Sequence, residues 1–367
     1  MKKQFILIAL SILIFSSCKK DEEDVPAQAP DIPAFYNSGS SASPAINLIA
    51  GVSDNIFEPQ DLDFHPSRAN ELWIINKGSN ITGGSTVTIT NAGQSNQSSQ
   101  FLRDGNAWHF MAFPSAISFS KDNDNFGTSA NILDANRQGG TFTGPTLWSS
   151  DMDVYAKYHG QGTNGSHLDM LHGSPYGMGI ESDGQNAFWV FDGYNRHLCW
   201  YDFHGDHGPG NHDHSDGKVH RYSEVVLTRD PNIPSHMVKD DPTGTLFICE
   251  TAKKRILWVN AISGREVADI PLINEELASH REVNDVEWGI FTDINLNKPC
   301  GIEVIGNILY VSDYESGEIV AFQKETKVEL GRINTGAKGI MGIKADTNGK
   351  LWFVNALNHG VYRIDPS

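Results

Sequence analysis

Short runs of apolar residues, bounded by Gly, Asn or Asp, recur along most of this chain. The clearest group lies between Pro175 and Tyr222, where four such runs follow one another. Apolar runs of about four to six residues between polar turns are typical of antiparallel strands. Four strands of this length form a small twisted sheet that is at best marginally stable alone. The pattern therefore predicts that this sheet is one unit of a repeat.

The first strand of the predicted sheet recurs along the chain. Its copies are Pro59–Phe64, Pro114–Phe119, Pro175–Ile180, Pro234–Lys239, Pro299–Val304 and Gly339–Lys344. The second strand recurs at Leu72–Asn76, Phe188–Asp192, Leu246–Glu250, Leu309–Asp313 and Leu351–Asn355. The third recurs at Ile256–Val259, Ile319–Phe322 and Val361–Ile364. Copies start about 40 to 65 residues apart, the spacing of propeller blades. We therefore predict an all-β fold, a six-bladed β-propeller over residues 44–367.

The predicted ring needs one more strand, because the sixth copy contains only three. Ala45–Ala50 lies ahead of the first copy and has the composition of a strand. We expect it to become the fourth strand of the last blade, which would close the ring and remove exposed sheet edges.

Two segments resemble a known repeat family. In Phe188–Leu198 and Leu309–Ile319, a strand ends in Asp, turns through polar residues and resumes at Leu or Ile. These segments resemble NHL repeats, and the resemblance covers the chain from Ala45 onward. It implies a propeller, and NHL propellers include binding scaffolds as well as enzymes.

The start of the chain predicts export. Lys2 and Lys3 precede an apolar stretch that is too short to span a bilayer and is followed at once by charge. We therefore predict an export signal at 1–17. Small residues before Cys18 resemble a bacterial lipoprotein cleavage box, which implies lipidation of that cysteine. An ordinary cleaved signal with an incidental cysteine is the alternative.

The segment after Cys18 predicts where the protein resides. The charged residues 19–24 are similar to the acidic export tag of surface lipoproteins in Bacteroidetes-type bacteria. The resemblance implies an outer-membrane lipoprotein on the extracellular face, with the periplasmic face as the alternative. Residues 18–43, with the lipid at Cys18, would form a flexible tether to the membrane.

The balance of charge limits the partners. The chain has 28 basic and 45 acidic residues, a net charge of -17. Such a surface repels nucleic acid and would suit cations, so we exclude nucleic-acid binding. We expect a monomer.

The three cysteines Cys199, Cys249 and Cys300 lie in or at the start of predicted strands, where buried free thiols are expected. One disulfide plus one free thiol is the alternative.

The propeller prediction sorts residues by face. Long connections at 77–85, 133–145, 157–174 and 271–298 are expected mostly on the top face, where they would form a ligand site. Candidate ligand-binding side chains at the top of the central channel are Asp61, Asn76, Asp192, Glu250, Asp313 and Asn355. Candidate metal ligands at the same level are His109, His172 and His236. Histidines and carboxylates on one axis suit zinc or copper, although each histidine alone could be a hydrogen-bonded wall residue.

One blade resembles part of an enzyme. Asn232–Met237, followed by Leu246–Glu250, is similar to the blade of peptidyl-hydroxyglycine amidating lyase that presents a zinc histidine. The resemblance implies a zinc ion held by three histidines, with His236 and residues near His109 and His172 as candidates. The family's histidine directly follows the proline, whereas here Ser235 intervenes, and the family's disulfide pattern is absent.

The densest set of potential metal ligands lies between the third and fourth strands of blade three. Its members are Asp202, His204, Asp206, His207, His212, Asp213, His214 and Asp216. Asp and His alternate as in a calcium loop, but the glutamate of that motif is absent. Nearby glycines permit a tight wrap around one ion, and a solvated loop is the alternative. We expect this loop underneath the propeller, away from the channel mouth.

Three classes of function remain open. The favoured one is a cell-surface lipoprotein whose propeller binds a small molecule, peptide or protein, with a bound divalent metal ion (zinc, copper or calcium). The alternative is a zinc-dependent lyase or hydrolase, and the second alternative is a metal-free interaction scaffold. No nucleophile elbow, phosphate loop or dinucleotide fingerprint occurs in a suitable context.

Overall fold

The computed structural model describes residues 44–160, 164–211, 213–272 and 275–365. Within these ranges the chain forms six small sheets whose first strands contact one another, in chain order, around a central axis. The predicted all-β, six-bladed propeller is thereby confirmed. No helix in the described part of the chain is long and apolar enough to cross a membrane. The predicted signal at 1–17 and the whole predicted tether at 18–43, including Cys18, lie outside the described residues.

The strands follow one another blade by blade. Strand β1 (Ala45–Ala50) precedes blade one, which contains β2 (Pro59–Phe64), β3 (Leu72–Ser79), β4 (Gly83–Thr90) and β5 (Ser98–Leu102). Helix α1 (Ala107–Phe110) leads into blade two, which contains β6 (Pro114–Phe119), β7 (Phe126–Ala130), β8 (Thr146–Trp148) and β9 (His167–Met170). Blade three contains β10 (Gly177–Gly184), β11 (Ala187–Asp192), β12 (His197–Asp202) and β13 (Lys218–Val226).

The second half of the ring contains one insertion. Blade four contains β14 (Met237–Asp240), β15 (Thr245–Glu250), β16 (Arg255–Asn260), the inserted hairpin β17 (Arg265–Asp269) and β18 (Ser279–Asn284), and finally β19 (Trp288–Thr292). Blade five contains β20 (Pro299–Ile305), β21 (Ile308–Asp313), β22 (Glu318–Gln323) and β23 (Glu329–Asn334). Blade six contains β24 (Ile340–Ala345), β25 (Leu351–Asn355) and β26 (Gly360–Asp365).

The ring closes through its first strand. β1 pairs antiparallel with β26, so that Ala45 lies opposite Asp365 and Leu48 lies opposite Tyr362. The sheet of blade six therefore contains strands from both ends of the described chain, as the sequence predicted. Closure of this kind leaves no unpaired blade in the ring.

Hydrophobic clusters fill the space between neighbouring blades, and both faces of each sheet contribute to them. In blade three, Phe188 and Val190 pack against blade two, whereas Trp189 and Phe191 pack against blade four. Successive side chains of a strand point to opposite faces, so a continuous apolar run is what a strand buried on both sides requires. Each of the six junctions between blades contains one such cluster. Cys199, a member of one cluster, is a free buried thiol, as are the other two described cysteines.

The structure corrects three predicted connections. Residues 77–85 form the tight hairpin of β3 and β4 rather than a long loop. Residues 157–174 contain β9, the fourth strand of blade two, and 271–298 contain β18 and β19. The hairpin of β17 and β18 is therefore an insertion between the third and fourth strands of blade four. It leaves its own blade, because β18 pairs in parallel with β13 and extends the sheet of blade three.

Charged side chains of four first strands meet near the axis. The ammonium Nζ of Lys344 lies 3.7 Å from Asp63 Oδ1 and 3.8 Å from Glu303 Oε2. It is also 3.9 Å from Glu181 Oε2. Burial raises the pKa of Glu303 to about 7, although the charge of Lys344 opposes this shift. The inner wall of the propeller therefore holds a carboxyl group that titrates near neutral pH.

We predict that Glu303→Gln removes part of the pH dependence of stability. A carboxyl whose pKa is raised by folding favours the folded state when protonated, and this contribution is lost as pH rises through about 7. Between about pH 5 and pH 8, the free energy of unfolding of the wild type should fall by about 2 kcal/mol more than that of the variant. Urea denaturation at the two pH values measures the difference. Glu315→Gln, at a carboxylate with 53% side-chain exposure, is the control, and equal pH dependence in wild type and Glu303→Gln would contradict the prediction.

Candidate functional site

A cavity of about 630 Å³ lies between blade two and the β12–β13 loop of blade three. Its wall combines histidines, amide side chains and aromatic rings from α1, the β7–β8 connection, the start and end of β9, and the blade-three loop. The lining residues are His109, Phe110, Asp134, Asn136, Gln138, Gly139, Gly140, Phe142, Asn164, His167, Met170, His172 and His214. A cavity of this size is large enough to hold a small molecule.

Three potential metal ligands meet at one side of this cavity. His172, His214 and Glu275 place one donor atom each within 4.8 Å of the others, and we call them the three-ligand group. Nδ1 of His172 and Nδ1 of His214 lie 3.0 and 2.9 Å from Glu275 Oε2. The backbone N–H of His172 donates to Glu275 Oε1 at 3.0 Å. Burial alone would raise the pKa of Glu275, but the two nearby imidazoles and the backbone N–H of His172 lower it to about 2.

The members of the three-ligand group come from three separate parts of the fold. His172 lies two residues after the end of β9 in blade two. His214 belongs to the β12–β13 loop, which runs against blade two, since the N–H of Gly210 donates to the carbonyl of His167 at 2.7 Å. Glu275 belongs to the connection between β17 and β18, which the pairing of β18 with β13 holds beside blade three. The inserted hairpin therefore completes the group.

Asp169 contacts the three-ligand group on the side of the His214 ring that is opposite Glu275. Its Oδ1 lies 3.4 Å from Nε2 of His214, the ring nitrogen that faces away from Glu275. Asp169 is 1% exposed, and its Oδ2 has no hydrogen-bond partner. Burial raises the pKa of Asp169 to about 7, although the charge of His214 opposes this. A carboxylate on the second nitrogen of an imidazole is the usual device that orients a metal-binding histidine.

Aromatic contacts fix the rings around the cavity. The rings of Phe110 and His167 stack with centroids 3.5 Å apart. Phe142 meets the ring of His172 edge to face at 5.1 Å, and His172 meets His214 in the same way at 5.2 Å. Rings packed on several sides lose little further freedom on binding a ligand, so the site is preorganised.

The predicted ion-binding loop divides into two parts. His204 Nδ1 and His207 Nε2 approach the two carboxylate oxygens of Asp216 at 3.1 and 2.9 Å. His214 instead belongs to the three-ligand group, so the described donors of the loop do not all converge on one point. Binding of an ion by this loop stays a prediction. His212 lies outside the described residues. The remaining carboxylates have local partners; these are Asp202, Asp206 and Asp213.

The three histidines predicted for the top of the channel lie in two different places. His109 and His172 line the cavity at the side of the ring, whereas His236 lies on the axis just before β14. Nε2 of His236 is 3.0 Å from the carbonyl oxygen of Ser115, and Nδ1 is 3.5 Å from Asp61 Oδ1. The expected convergence of the three on one axial ion is therefore not what the fold produces. Binding of a ligand by Asp61 stays a prediction.

The polar residues that end the second strands close turns. Asp192 accepts hydrogen bonds from backbone N–H groups two and three residues further along. Asp313 and Asn355 do the same in their own turns. Asn76 and Glu250 also have partners in the fold. These contacts give the side chains a structural role, and their role in ligand binding stays a prediction.

An arginine side chain lies between the members of a second group of potential metal ligands. Asp192, His197 and Cys199 bring one donor atom each within 4.8 Å. Nη1 of Arg221 lies 3.2, 3.3 and 3.4 Å from Asp192 Oδ2, His197 Nε2 and Cys199 Sγ respectively. Burial raises the pKa of the Cys199 thiol to about 12, so the sulfur is not a thiolate at neutral pH. A fixed guanidinium cation therefore fills the position that a metal would take.

Glu275 of the three-ligand group and Asp169 beside it were not found from the sequence. Glu275 lies in a segment without hydrophobic alternation, which the sequence analysis placed in the connection between blades four and five. Nothing in the sequence distinguished Glu275 from other carboxylates. Asp169 had a weak signal, because it follows His167 at strand spacing in a short run that alternates with Leu168 and Met170. The short length of β9, four residues, concealed that signal.

Comparison with known proteins supports the fold. The chain is similar to an auxiliary nutrient binding protein from Bacteroides thetaiotaomicron, with a TM-score of 0.55 and 11% identity over 84% of this chain and 69% of that chain. It is similar to an auxiliary nutrient binding protein from Bacteroides ovatus, with a TM-score of 0.54 and 11% identity over 88% of this chain and 76% of that chain. A luciferin-regenerating enzyme has a TM-score of 0.52 and 9% identity over 88% of this chain and 95% of that chain.

These structural similarities concern the fold alone. Identities of 9 to 11% show a shared fold and carry no activity with them. No protein-family model matches the chain, and no curated protein matches it in sequence. The resemblance to NHL repeats is therefore supported at the level of the propeller and not at the level of the family.

We predict that Arg221→Leu lowers the free energy of unfolding by about 3–5 kcal/mol, because it leaves the buried carboxylate of Asp192 without its cation. The side chains of the two residues are 9% and 0% exposed. Arg265→Leu removes an exposed pair with Asp285 and should change stability by less than about 1 kcal/mol. Urea denaturation of the two variants tests this, and similar losses in both would contradict the structural role of Arg221.

Proposed function

We propose that this protein binds a ligand in the cavity between blades two and three, and that a divalent transition-metal ion held by the three-ligand group forms part of the site. The observation that carries the proposal is the convergence of His172, His214 and Glu275 beside the cavity. These donors are far apart in sequence, and the charge of Glu275 matches a cation. Such convergence of two imidazoles and a carboxylate is the chemistry of a metal site.

The size and wall of the cavity support ligand binding. Its volume of about 630 Å³ lies within the range of small-molecule sites. Amide groups of Asn136, Gln138 and Asn164 provide donors and acceptors, and the ring of Phe142 provides an apolar surface. The two similar Bacteroides proteins are described as auxiliary nutrient binding proteins. By analogy we propose a nutrient-sized small molecule or short peptide as the ligand.

The donor set indicates the class of metal. Two imidazole nitrogens and one carboxylate suit zinc or copper. Calcium prefers six or more oxygen ligands, and the three-ligand group offers oxygen from Glu275 alone. We therefore propose zinc or copper and not calcium.

We also propose that the propeller is tied to the outer membrane by a lipid on Cys18 and works on the outside of the cell as a monomer. The support is the sequence of the leader, the cysteine and the acidic residues that follow it. Metabolic labelling with a palmitate analogue in a bacterial host tests this. The wild type should be labelled and Cys18→Ala should not, and label in neither would contradict the lipid anchor.

Metal content tests the site directly. Protein purified without an affinity tag and dialysed against zinc should contain about one ion per chain, and His214→Ala should lose it, because removal of one of three ligands leaves too few donors. His204→Ala is the matched control, since it removes a histidine with 61% side-chain exposure from the same loop. Elemental analysis by mass spectrometry measures the content.

Two outcomes would contradict the proposed metal site. Metal-free wild-type protein that is folded and stable would favour the interaction scaffold. Loss of metal in His204→Ala together with retention in His214→Ala would indicate that the ion lies with His204, His207 and Asp216 instead.

A second candidate function is a zinc-dependent lyase or hydrolase. The observation that favours it is the number of protein ligands, because catalytic zinc sites use three and keep one position for water or substrate. The earlier resemblance to peptidyl-hydroxyglycine amidating lyase suggests a substrate to try, although the present group differs from the three histidines of that family. A zinc-loaded enzyme should release glyoxylate from an α-hydroxyglycine peptide and His214→Ala should not. Absence of turnover in protein with its full zinc content would contradict the enzyme and leave ligand binding as the remaining function.

A further inference from the structure

The three-ligand group leaves one side of its ion without a protein donor. Among the described residues, three side chains meet at the group. Glu275 approaches from the buried side, since its side chain is 4% exposed and it does not line the cavity, whereas His172 and His214 do line it. An ion bound by all three therefore has its remaining position on the cavity side.

Asp169 cannot fill that position, because it lies at the wrong nitrogen. Its Oδ1 is near Nε2 of His214, while Nδ1 of the same ring faces Glu275. The two nitrogens of an imidazole point in divergent directions, so a carboxylate at one cannot reach an ion at the other. The buried Oδ2 of Asp169 has no partner, and this acidic environment favours a cation on the far side of the His214 ring.

Among the described residues, the wall of the cavity offers no competing fixed cation. Its described lining contains no lysine and no arginine. Asp134 is held by its own loop, since it accepts hydrogen bonds from the backbone N–H groups of Asn136, Gln138 and Gly140. In a chain with a net charge of -17, an anionic group would enter this cavity only where a positive charge compensates it. The ion would supply that charge.

We infer that the ligand of this cavity carries an anionic oxygen group, of the carboxylate or hydroxamate class, which binds the metal ion at its open position. The rest of the ligand then lies against the amides of Asn136, Gln138 and Asn164 and the ring of Phe142. This inference rests on the proposed metal site and adds the chemistry of what binds there.

Substitution with Co²⁺ tests the inference, because the visible bands of this ion report the number and kind of its ligands. Metal-free protein is loaded with Co²⁺ and titrated with acetohydroxamic acid, a small chelating oxygen donor. Acetamide, which lacks the anionic oxygen, is the control. The expected result is about one Co²⁺ per chain, with bands that shift saturably with acetohydroxamate and stay unchanged with acetamide. His204→Ala should behave as the wild type, and His214→Ala should lose both Co²⁺ and the shift.

The outcomes separate the inference from the proposed metal site. Stoichiometric Co²⁺ that is lost in His214→Ala, but whose bands ignore acetohydroxamate, would keep the metal site and overturn the open position. A shift that persists in His214→Ala would place the responsive ion elsewhere and overturn the inference. Absence of bound Co²⁺ in the wild type would overturn both.

Discussion

The constraint on which this structure depends is that every blade is apolar on both faces. In blade three, neighbouring residues of β11 pack alternately against blade two and blade four. A sheet of this kind cannot be stable with one neighbour, because the other face would expose aromatic and aliphatic side chains. Only a closed ring gives each blade two neighbours. The pairing of β1 with β26 is the contact that makes the ring closed.

The closed ring also explains how distant residues meet at the cavity. Blades two and three are held side by side by a cluster that includes Leu147, Leu168 and Tyr201. Their irregular connections must then share the narrow space at the outer junction. The β12–β13 loop lies against β9, and the hairpin of β17 and β18 continues the sheet of blade three. His172, His214 and Glu275 are brought together by this packing and not by any local motif.

The regular part of the fold could be predicted from the sequence, because it depends on a short-range pattern. First and second strands repeat an apolar run between turn residues, and the predicted second strand of blade three differs from β11 by one residue at its start. The strands of blade two were harder to predict, because β8 has three residues and β9 has four, too few to show a clear pattern. The inserted hairpin had no apolar pattern, because all five residues of β17 are exposed.

The candidate site could be predicted only in part. His172 and His214 were both singled out as metal ligands, but as members of two different sites. The propeller pattern assigns loops to the top or bottom face, and it does not show that a long loop runs along the outside of the ring. Glu275 depends on the parallel pairing of β18 with β13, a contact between blades that no local sequence rule specifies.

Anomalous diffraction at the zinc absorption edge, from crystals grown with zinc, decides whether the three-ligand group holds an ion. One strong peak is expected about 2.0–2.2 Å from a nitrogen of His172, a nitrogen of His214 and an oxygen of Glu275. The fourth position of this ion is expected to face the cavity. A fully occupied peak beside His236 on the axis, or crystals without a peak at the three-ligand group, would contradict the proposed metal site.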